Sequence, residues 1–400
     1  MKISSNSFTQ DSNTELINEF HQTVTSDHIG FLSYLDDVEL TDAAKKIHDK
    51  FKHKKHFVQI GIGGSALGPQ MLISSLQKNA QCSFTFLDNT DSDYLHRELN
   101  KISLKDSIFY VVSKSGGTAE TIAAFIIVYN LLQEQGITNF SDYFVFCTDP
   151  TSGQLREFVN QNNFDALEVP SNIGGRFSVL TNVGLLPAIF AGIDIDELLT
   201  EAKNYKNSLV ENLTNLSQTG DTILDLYSKG INQTVMMPYS SILKDFSFWF
   251  TQLWAESLGK KNIGITPIPA YGATDQHSQM QLFMEGPNNK FLFLINVSNK
   301  SKDFSLNSDL SLESAIKLKD YSLNQLLNAQ FHGTVDALKE MKRNLATIEI
   351  EEVNNKTLAK LIIYFECLTV YVGLGLKINP FDQPGVELGK KLAYKHLNSL

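Results

Sequence analysis

The stretch IFYVVSKSGGTAETIAAF, residues 108–125, joins two apolar runs through a turn that holds two glycines and several hydroxyl side chains. The first run is rich in β-branched and aromatic residues, which favour a buried strand. The second run continues to about Glu134 and is typical of a helix. Strand–turn–helix units of this kind build parallel sheets that are covered by helices.

The same alternation of strand and helix extends along much of the chain. Further strands are predicted at 57–62, 83–88, 143–149, 166–170, 234–240, 290–298 and 345–353. A length of 400 residues exceeds what one hydrophobic core usually serves. The sequence therefore predicts an α/β protein with two domains and helical arms.

Composition narrows the class of protein. The formal charge of −10 argues against a surface that neutralises nucleic acid or anionic lipid. The 3 cysteines show neither a disulfide pattern nor metal-ligand spacing. The amino terminus is polar, and no uninterrupted apolar run reaches the length that crosses a bilayer. We expect a cytoplasmic protein.

The turn after residue 112 has the chemistry of a phosphate cradle. Gly116 and Gly117 lie at a strand end directly before a helix, with hydroxyls on both sides. Glycines let the backbone approach an anion, and the helix supplies N–H groups and the positive end of its dipole. The alternative is a helix cap at Ser115 or Thr118, with Glu120 completing a capping box. The Walker spacing is absent, which disfavours a nucleoside triphosphate.

A second glycine turn, GIGGSALG at 61–68, also follows a predicted strand. Gly61, Gly63 and Ala66 fit the loose dinucleotide pattern, and Asp88 ends the next strand, where a ribose-binding acid would lie. NAD is therefore an alternative ligand. Because ligands bind off the carboxyl ends of parallel strands, two such turns favour one shared cleft.

Four residues further along could perform chemistry. Arg176 follows two glycines and could stabilise an oxyanion, although it could equally tie a loop to a carboxylate. Glu256 ends an aromatic helix, where partial burial would suit a general base. His277 and Lys390 could transfer protons, but a structural histidine and a solvated lysine are the commoner cases. Taken singly, none of these residues indicates catalysis, but their presence together favours a catalytic site.

The chain closely resembles the glucose-6-phosphate isomerase (phosphoglucose isomerase) family. The resemblance rests on VQIGIGGSALGP, VVSKSGGTAET, NIGGRFSVLT, AESLGK, ATDQHSQMQL and PFDQPGVELGKK, which run from residue 58 to 391. It implies two sugar-isomerase-type, flavodoxin-like domains and interconversion of glucose 6-phosphate and fructose 6-phosphate without metal or organic cofactor. Gly117 stands where the family often has threonine.

The resemblance also assigns roles to individual residues. It implies phosphate and substrate contacts at Gly63, Gly64, Ser65, Ser113, Lys114, Ser115, Thr118, Thr121 and Gln383. Glu256 matches the base that moves a proton between C2 and C1, and Arg176 matches a residue beside the enediolate. His277 and Lys390 match the ring-opening groups, with the histidine given by the partner in a homodimer.

The sequence also predicts domain boundaries, and it leaves two alternative functions open. The expected division is a helical arm at 1–45, sugar-isomerase domains at 46–205 and 206–355, and a helical segment at 356–400 that carries the VELGK motif. A non-catalytic sugar-phosphate-binding regulator is one alternative, and an NAD-dependent dehydrogenase is the other. Whether mannose 6-phosphate is also a substrate is left open, since spacing does not fix one hydroxyl's orientation.

Overall fold

A computed structural model describes residues 1–8, 13–26, 29–37, 39–78 and 82–399, in which two five-stranded sheets form. The strands are β1 Lys2–Ser5, β2 His56–Ile60, β3 Ser83–Leu87, β4 Ser107–Val112, β5 Phe144–Thr148, β6 Asp165–Glu168, β7 Gln233–Pro238, β8 Thr266–Pro269, β9 Lys290–Val297 and β10 Asn344–Ile350. The α/β fold that the sequence predicts is confirmed.

Helices surround and connect the sheets. They are α1 Thr14–Val24, α2 Gly30–Ser33, α3 Glu39–Phe51, α4 Leu67–Leu76, α5 Ser92–Leu99, α6 Ala119–Glu134, α7 Gln154–Asn162, α8 Asn182–Phe190, α9 Ile195–Glu211, α10 Thr214–Ser228, α11 Lys244–Leu258, α12 Met280–Glu285, α13 Glu313–Leu318, α14 Leu323–Glu340, α15 Asn355–Gly375 and α16 Glu387–Leu397. Short 3₁₀ turns lie between them.

The first sheet is fully parallel, in the order β3-β2-β4-β5-β6. Every residue of β4 is buried, because helices cover both faces of the sheet. Phe109 and Val111 face one core while Ile108, Tyr110 and Val112 face another, as the two-residue period of a strand requires. The chain leaves β2 and β4 in opposite directions, so a crevice opens at their carboxyl ends.

The second sheet repeats this order as β8-β7-β9-β10 and adds β1 at its edge. β1 pairs antiparallel with β10, whereas the other pairs are parallel. The segment 1–45, predicted as a helical arm, contains β1 as well as helices, since the polar segment KISS pairs with its distant partner β10. β8 was not predicted because Pro267 and Pro269 interrupt it, which an edge strand tolerates.

One continuous cluster of buried side chains connects the two sheets. It includes Tyr110 from β4, Trp254 from α11 and Phe293 from β9. α15 crosses this core and is 83% buried over its most apolar window, although by length and composition it could span a bilayer. The shared core fixes α11 relative to the carboxyl ends of β2 and β4.

Candidate active site

A cleft of about 660 Å³ opens at the switch point between β2 and β4. Residues from several separate segments line it, namely the turns after β2, β4 and β5, the loop 174–176, the last turns of α11 and the segment 381–390. The two glycine turns thus meet in one cleft, as the sequence predicts from their positions at neighbouring strand ends.

The hydroxyl cradle lies at the start of α6. Ser113 Oγ is 3.0 Å from Thr118 Oγ1, and Ser115 Oγ is 3.4 Å from the same atom. Thr118 occupies the N-cap position, yet its side chain caps no backbone N–H. The Thr121 hydroxyl is buried without a hydrogen-bond partner among the described residues. The helix therefore keeps free donors that an anion could accept, which favours the cradle over the capping alternative.

The two glycines of this turn have different surroundings. Gly116 has a φ of +69°, and a Cβ there would lie 2.9 Å from the backbone nitrogen of Leu155. A Cβ on Gly117 would meet nothing within 4 Å. Only Gly116 is therefore required by the backbone.

The turn after β2 is in direct backbone contact with the loop 171–176, which we call the arginine loop. Residues Gly63–Ser65 form a 3₁₀ turn after β2. A Cβ on Gly64 would lie 2.1 Å from the carbonyl oxygen of Gly175, so only glycine fits. This close approach places Arg176 beside the Ser65 turn.

The Lys114 side chain turns from the cradle toward the arginine loop. Its ammonium donates to the carbonyl oxygens of Ser171 and Ile173, each at 2.8 Å. Burial lowers the pKa of Lys114, and Asp149 partly opposes that effect. The ammonium thus bonds a loop, although Lys114 is among the residues that line the cleft.

Arg176 is the most heavily hydrogen-bonded side chain of the site. Its guanidinium donates to Ser257 Oγ at 2.7 Å, to the carbonyl oxygens of Pro380 at 2.6 Å and Asp382 at 3.0 Å, and to Gln383 Oε1. It also pairs with Glu256, with 3.4 Å between Nη1 and Oε2. Burial lowers the pKa of Arg176, and the Glu256 charge opposes this. The arginine stays charged at neutral pH, since its pKa starts so high.

Glu256 lies on the face of α11 opposite to the aromatic core residues. Trp254 and Phe250 are buried, whereas the Glu256 side chain is 30% exposed at the cleft. Its Oε1 accepts a hydrogen bond of 3.0 Å from Gln252 Nε2, one helical turn earlier. The side-chain carbonyl oxygen of Gln252 is buried and has no partner among the described residues. It could accept a hydrogen bond from a substrate hydroxyl.

Lys390 reaches the cleft from an exposed helix. It lines the cleft together with Val386 and Glu387, and its ammonium lies 2.8 Å from Glu387 Oε1. This hydrogen bond lowers the pKa of Glu387. No residue of α16 is buried against the rest of the described chain.

His277 is the predicted residue that one chain does not bring to the cleft. It ends the turn Thr274–His277 after β8, is exposed, and is absent from the cleft lining. The turn is held by its neighbours, because Gln276 donates to the Tyr239 hydroxyl at 2.9 Å and Asp275 accepts from the Tyr271 N–H at 2.8 Å. These bonds hold the turn in a position from which His277 does not line the cleft.

Two residues of this region were not singled out from the sequence. Gln252 could have been found, because its i,i+4 spacing to Glu256 places both on one helix face. Lys260 lies just after the end of α11, where a basic side chain can bond the last helix carbonyls, but its contact with Asp382 depends on tertiary structure. Among the described residues, no group of three or more histidine, cysteine or acidic side chains could hold a metal ion.

Known proteins resemble this chain in sequence and in fold. A family model described as "Phosphoglucose isomerase" matches residues 36–400. "Glucose-6-phosphate isomerase" of Carboxydothermus hydrogenoformans is 36% identical over 391 residues, covering 92% of this chain and 83% of that protein. The crystal structure of a hypothetical protein from Thermus thermophilus superposes with a TM-score of 0.89 at 32% identity, covering 96% of this chain and 95% of that one. A glucose-6-phosphate isomerase from Chlamydia trachomatis shares the fold, with a TM-score of 0.79 at 22% identity over 98% of this chain and 80% of that one.

Proposed function

This chain belongs to the phosphoglucose isomerase family, and we propose that the cleft off β2 and β4 is where it acts, with Glu256 as the base. The enzyme interconverts glucose 6-phosphate and fructose 6-phosphate, a reversible step of glycolysis and gluconeogenesis. Neither a non-catalytic regulator nor an NAD-dependent dehydrogenase is favoured by the relatives.

The 6-phosphate is held in the hydroxyl cradle. Ser113, Ser115 and Thr118 supply hydroxyl donors, and Thr121 supplies one that has no partner in the described structure. The Ser65 hydroxyl and backbone N–H groups of Gly63, Gly64 and the Lys114 turn complete the contact, together with the α6 dipole. Binding of the 6-phosphate in the cradle orients C1 and C2 of the sugar toward Glu256 and Gln383.

Ring opening precedes proton transfer. Lys390 borders the cleft and can pass a proton at the ring oxygen or the O1 hydroxyl. His277 serves the same step in the cleft of a partner chain, because its own chain holds it away. Glu256 and Gln383 also border an adjoining cavity of about 580 Å³, through which a partner's histidine turn could enter.

The isomerisation needs one carboxylate. Glu256 removes the proton from C2, the C–H electron pair becomes the C1–C2 double bond, and O1 takes the negative charge. A proton then moves between O2 and O1, and Glu256 returns its proton to C1. As Glu256 becomes neutral, negative charge appears on the enediolate, and Arg176 can shift its attraction to that charge without moving far. The Arg176–Glu256 pair in a hydroxyl-lined cleft is the observation that carries this proposal.

A homodimer completes the proposed site. Exposed apolar residues on and beside α16 support it, namely Val386, Leu388, Leu392 and Leu397. A second exposed apolar group, Phe304, Leu310, Leu312 and Ile316, lies before and within α13. Burial of such surface between two copies would be favourable. We also place the enzyme in the cytoplasm, which the acidic composition and the buried position of α15 support.

The test is turnover of fructose 6-phosphate by the parent protein and by Glu256→Gln, in the presence of a chelator. The parent should be active, and Glu256→Gln should lose about 100-fold or more in kcat, since one general base is removed. Glu211→Gln, an exposed change at the end of α9, is the matched control and should behave as the parent. A Glu256→Gln rate equal to the parent rate would disprove the assignment of the base.

A further inference from the structure

Lys260 is a buried cation behind the proposed base. It follows α11, and its side chain is only 7% exposed. The ammonium donates to the carbonyl oxygens of Glu256 at 2.9 Å and Ser257 at 2.7 Å. It also lies 3.5 Å from Asp382 Oδ1. Since an ammonium has three donors, all of them have a partner.

These contacts join two segments that carry site residues. The last carbonyls of a helix have no partner within the helix, and Lys260 bonds two of them at the turn that bears Glu256. Asp382, its third partner, directly precedes Gln383. Arg176 bridges the same two segments from the cleft side, through Ser257 Oγ and the Asp382 carbonyl oxygen.

The two cations differ in what they face. Arg176 lines the cleft, whereas Lys260 lines only the adjoining cavity. Burial and the nearby Arg176 charge lower the pKa of Lys260, while Asp382 opposes them, so the ion pair helps to keep it charged. Lys260 therefore contacts the end of α11 and the segment before Gln383, and it contacts no reacting atom.

We propose that Lys260 is a positioning residue, which sets the distance between the Glu256 carboxylate and the substrate carbons by tying α11 to the Gln383 segment. The inference rests on the proposed function. A misplacement of about 1 Å between reacting groups can cost on the order of 100-fold in rate. The phosphate cradle belongs to other elements, so substrate affinity should depend little on Lys260.

The experiment compares Lys260→Met with Lys261→Met, whose side chain is the exposed neighbour. For Lys260→Met we expect kcat to fall about tenfold or more, while KM for fructose 6-phosphate stays within about threefold. The deuterium isotope effect on kcat with C2-deuterated glucose 6-phosphate should rise, because proton transfer becomes slower than the other steps. Lys261→Met should stay within about twofold of the parent in all three quantities.

Asp382→Asn tests the same connection between α11 and the Gln383 segment from the other side of the ion pair. It removes the charge that Lys260 meets but leaves the two bonds to α11, so kcat and the isotope effect should change in the same direction by less. A Lys260→Met enzyme with kcat within about twofold of the parent would overturn the inference. So would a lower kcat with an unchanged isotope effect, which indicates a smaller folded fraction. Failure of the proposed function would instead appear as an inactive parent or a fully active Glu256→Gln.

Discussion

The Arg176 guanidinium and the Glu256 carboxylate form an ion pair, with 3.4 Å between Nη1 and Oε2, and the arginine side chain has no exposed surface. The pair joins a loop that follows the first sheet to a helix that packs against the second. If Glu256 takes up a proton, the carboxylate no longer neutralises Arg176, and the guanidinium can attract a neighbouring anion. Stabilisation of an enediolate requires this change of partner.

Arg176→Lys should lower kcat by about 100-fold or more, since a lysine cannot reproduce the planar fork. The guanidinium donates to five acceptors, whereas an ammonium has three donors. KM should change less, because the proposed phosphate contacts belong to other residues. Steady-state kinetics measures both, and Arg97→Lys, on the exposed face of α5, is the control. A parental kcat would remove Arg176 from the mechanism.

The glycine pair of the phosphate turn gives a matched comparison. Gly117→Ser has open space and should fold as the parent does, with KM unchanged. Gly116→Ser should lose roughly 1 to 2 kcal/mol of unfolding free energy from its positive φ alone, and KM should rise. Thermal unfolding and kinetics test both. Equal effects at the two positions would contradict the described turn.

Lys114→Met distinguishes a loop-bonding role from direct phosphate binding. The structure leads us to expect a lower kcat through the arginine loop and a small change in KM, because two hydrogen bonds to that loop are lost. A lysine that gripped phosphate itself would instead raise KM strongly and make it depend on salt. The measurement is KM and kcat at two ionic strengths, with the exposed Lys105→Met as control.

Mixed dimers test the origin of the histidine. His277→Ala and Glu256→Gln should each be nearly inactive alone. In an equal mixture that exchanges subunits, half of the dimers pair one variant with the other, and one of their two sites is intact. Activity should then recover to about a quarter of the parent value for a two-fold dimer. No recovery, with exchange verified by mass spectrometry, would place His277 in its own chain's site or outside catalysis.

Glu366 makes stability depend on pH. It is buried in α15, its Oε1 has no partner among the described residues, and burial raises its pKa well above the ordinary value. Above the ordinary carboxyl pKa the unfolded chain releases this proton while the folded chain keeps it. Unfolding therefore becomes easier by up to about 1.4 kcal/mol per pH unit, until the folded pKa is passed.

Glu366→Gln should remove this dependence. The variant should be more stable than the parent at pH 8, and the advantage should shrink as the pH approaches 5. Denaturant unfolding at several pH values measures the difference. Glu340→Gln, on the exposed end of α14, should parallel the parent across the range. A constant offset between Glu366→Gln and the parent would mean that the carboxyl does not hold its proton in the folded state.

The predicted fold was accurate where local pattern decides structure. Continuous apolar runs such as FVQIGI and IFYVVS gave β2 and β4, because parallel strands buried on both faces need them. β1 and β8 were missed, since the first is polar and the second contains prolines, and each depends on a neighbour for its hydrogen bonds. The four-part division of the chain remains a prediction.

The sequence indicated which residues line the cleft, but it did not indicate most of the contacts that these residues make. Hydroxyls beside glycines at strand ends predicted residues that line the cleft, and their role as a phosphate cradle remains a prediction. The loop contacts of Lys114 and the ion pair of Lys260 could not be predicted from sequence, because their partners lie about 57 residues away for Ser171 and about 120 residues away for Asp382. The other two Lys260 bonds are local, to the carbonyl oxygens of Glu256 and Ser257. The separation of His277 from the cleft also required coordinates.

The pairing of β1 with β10 has a consequence during translation. Ser5 Oγ donates to the Leu345 carbonyl oxygen at 2.6 Å, across a separation of 340 residues. At about 5 to 20 residues per second, residues 2–5 leave the ribosome roughly 20 to 70 seconds before their partner strand exists. When β10 is finally made, its outer edge stays open to other chains until β1 pairs with it. Closing that edge is thus one of the last events of biosynthesis, and a bulky fusion ahead of Lys2 would delay it.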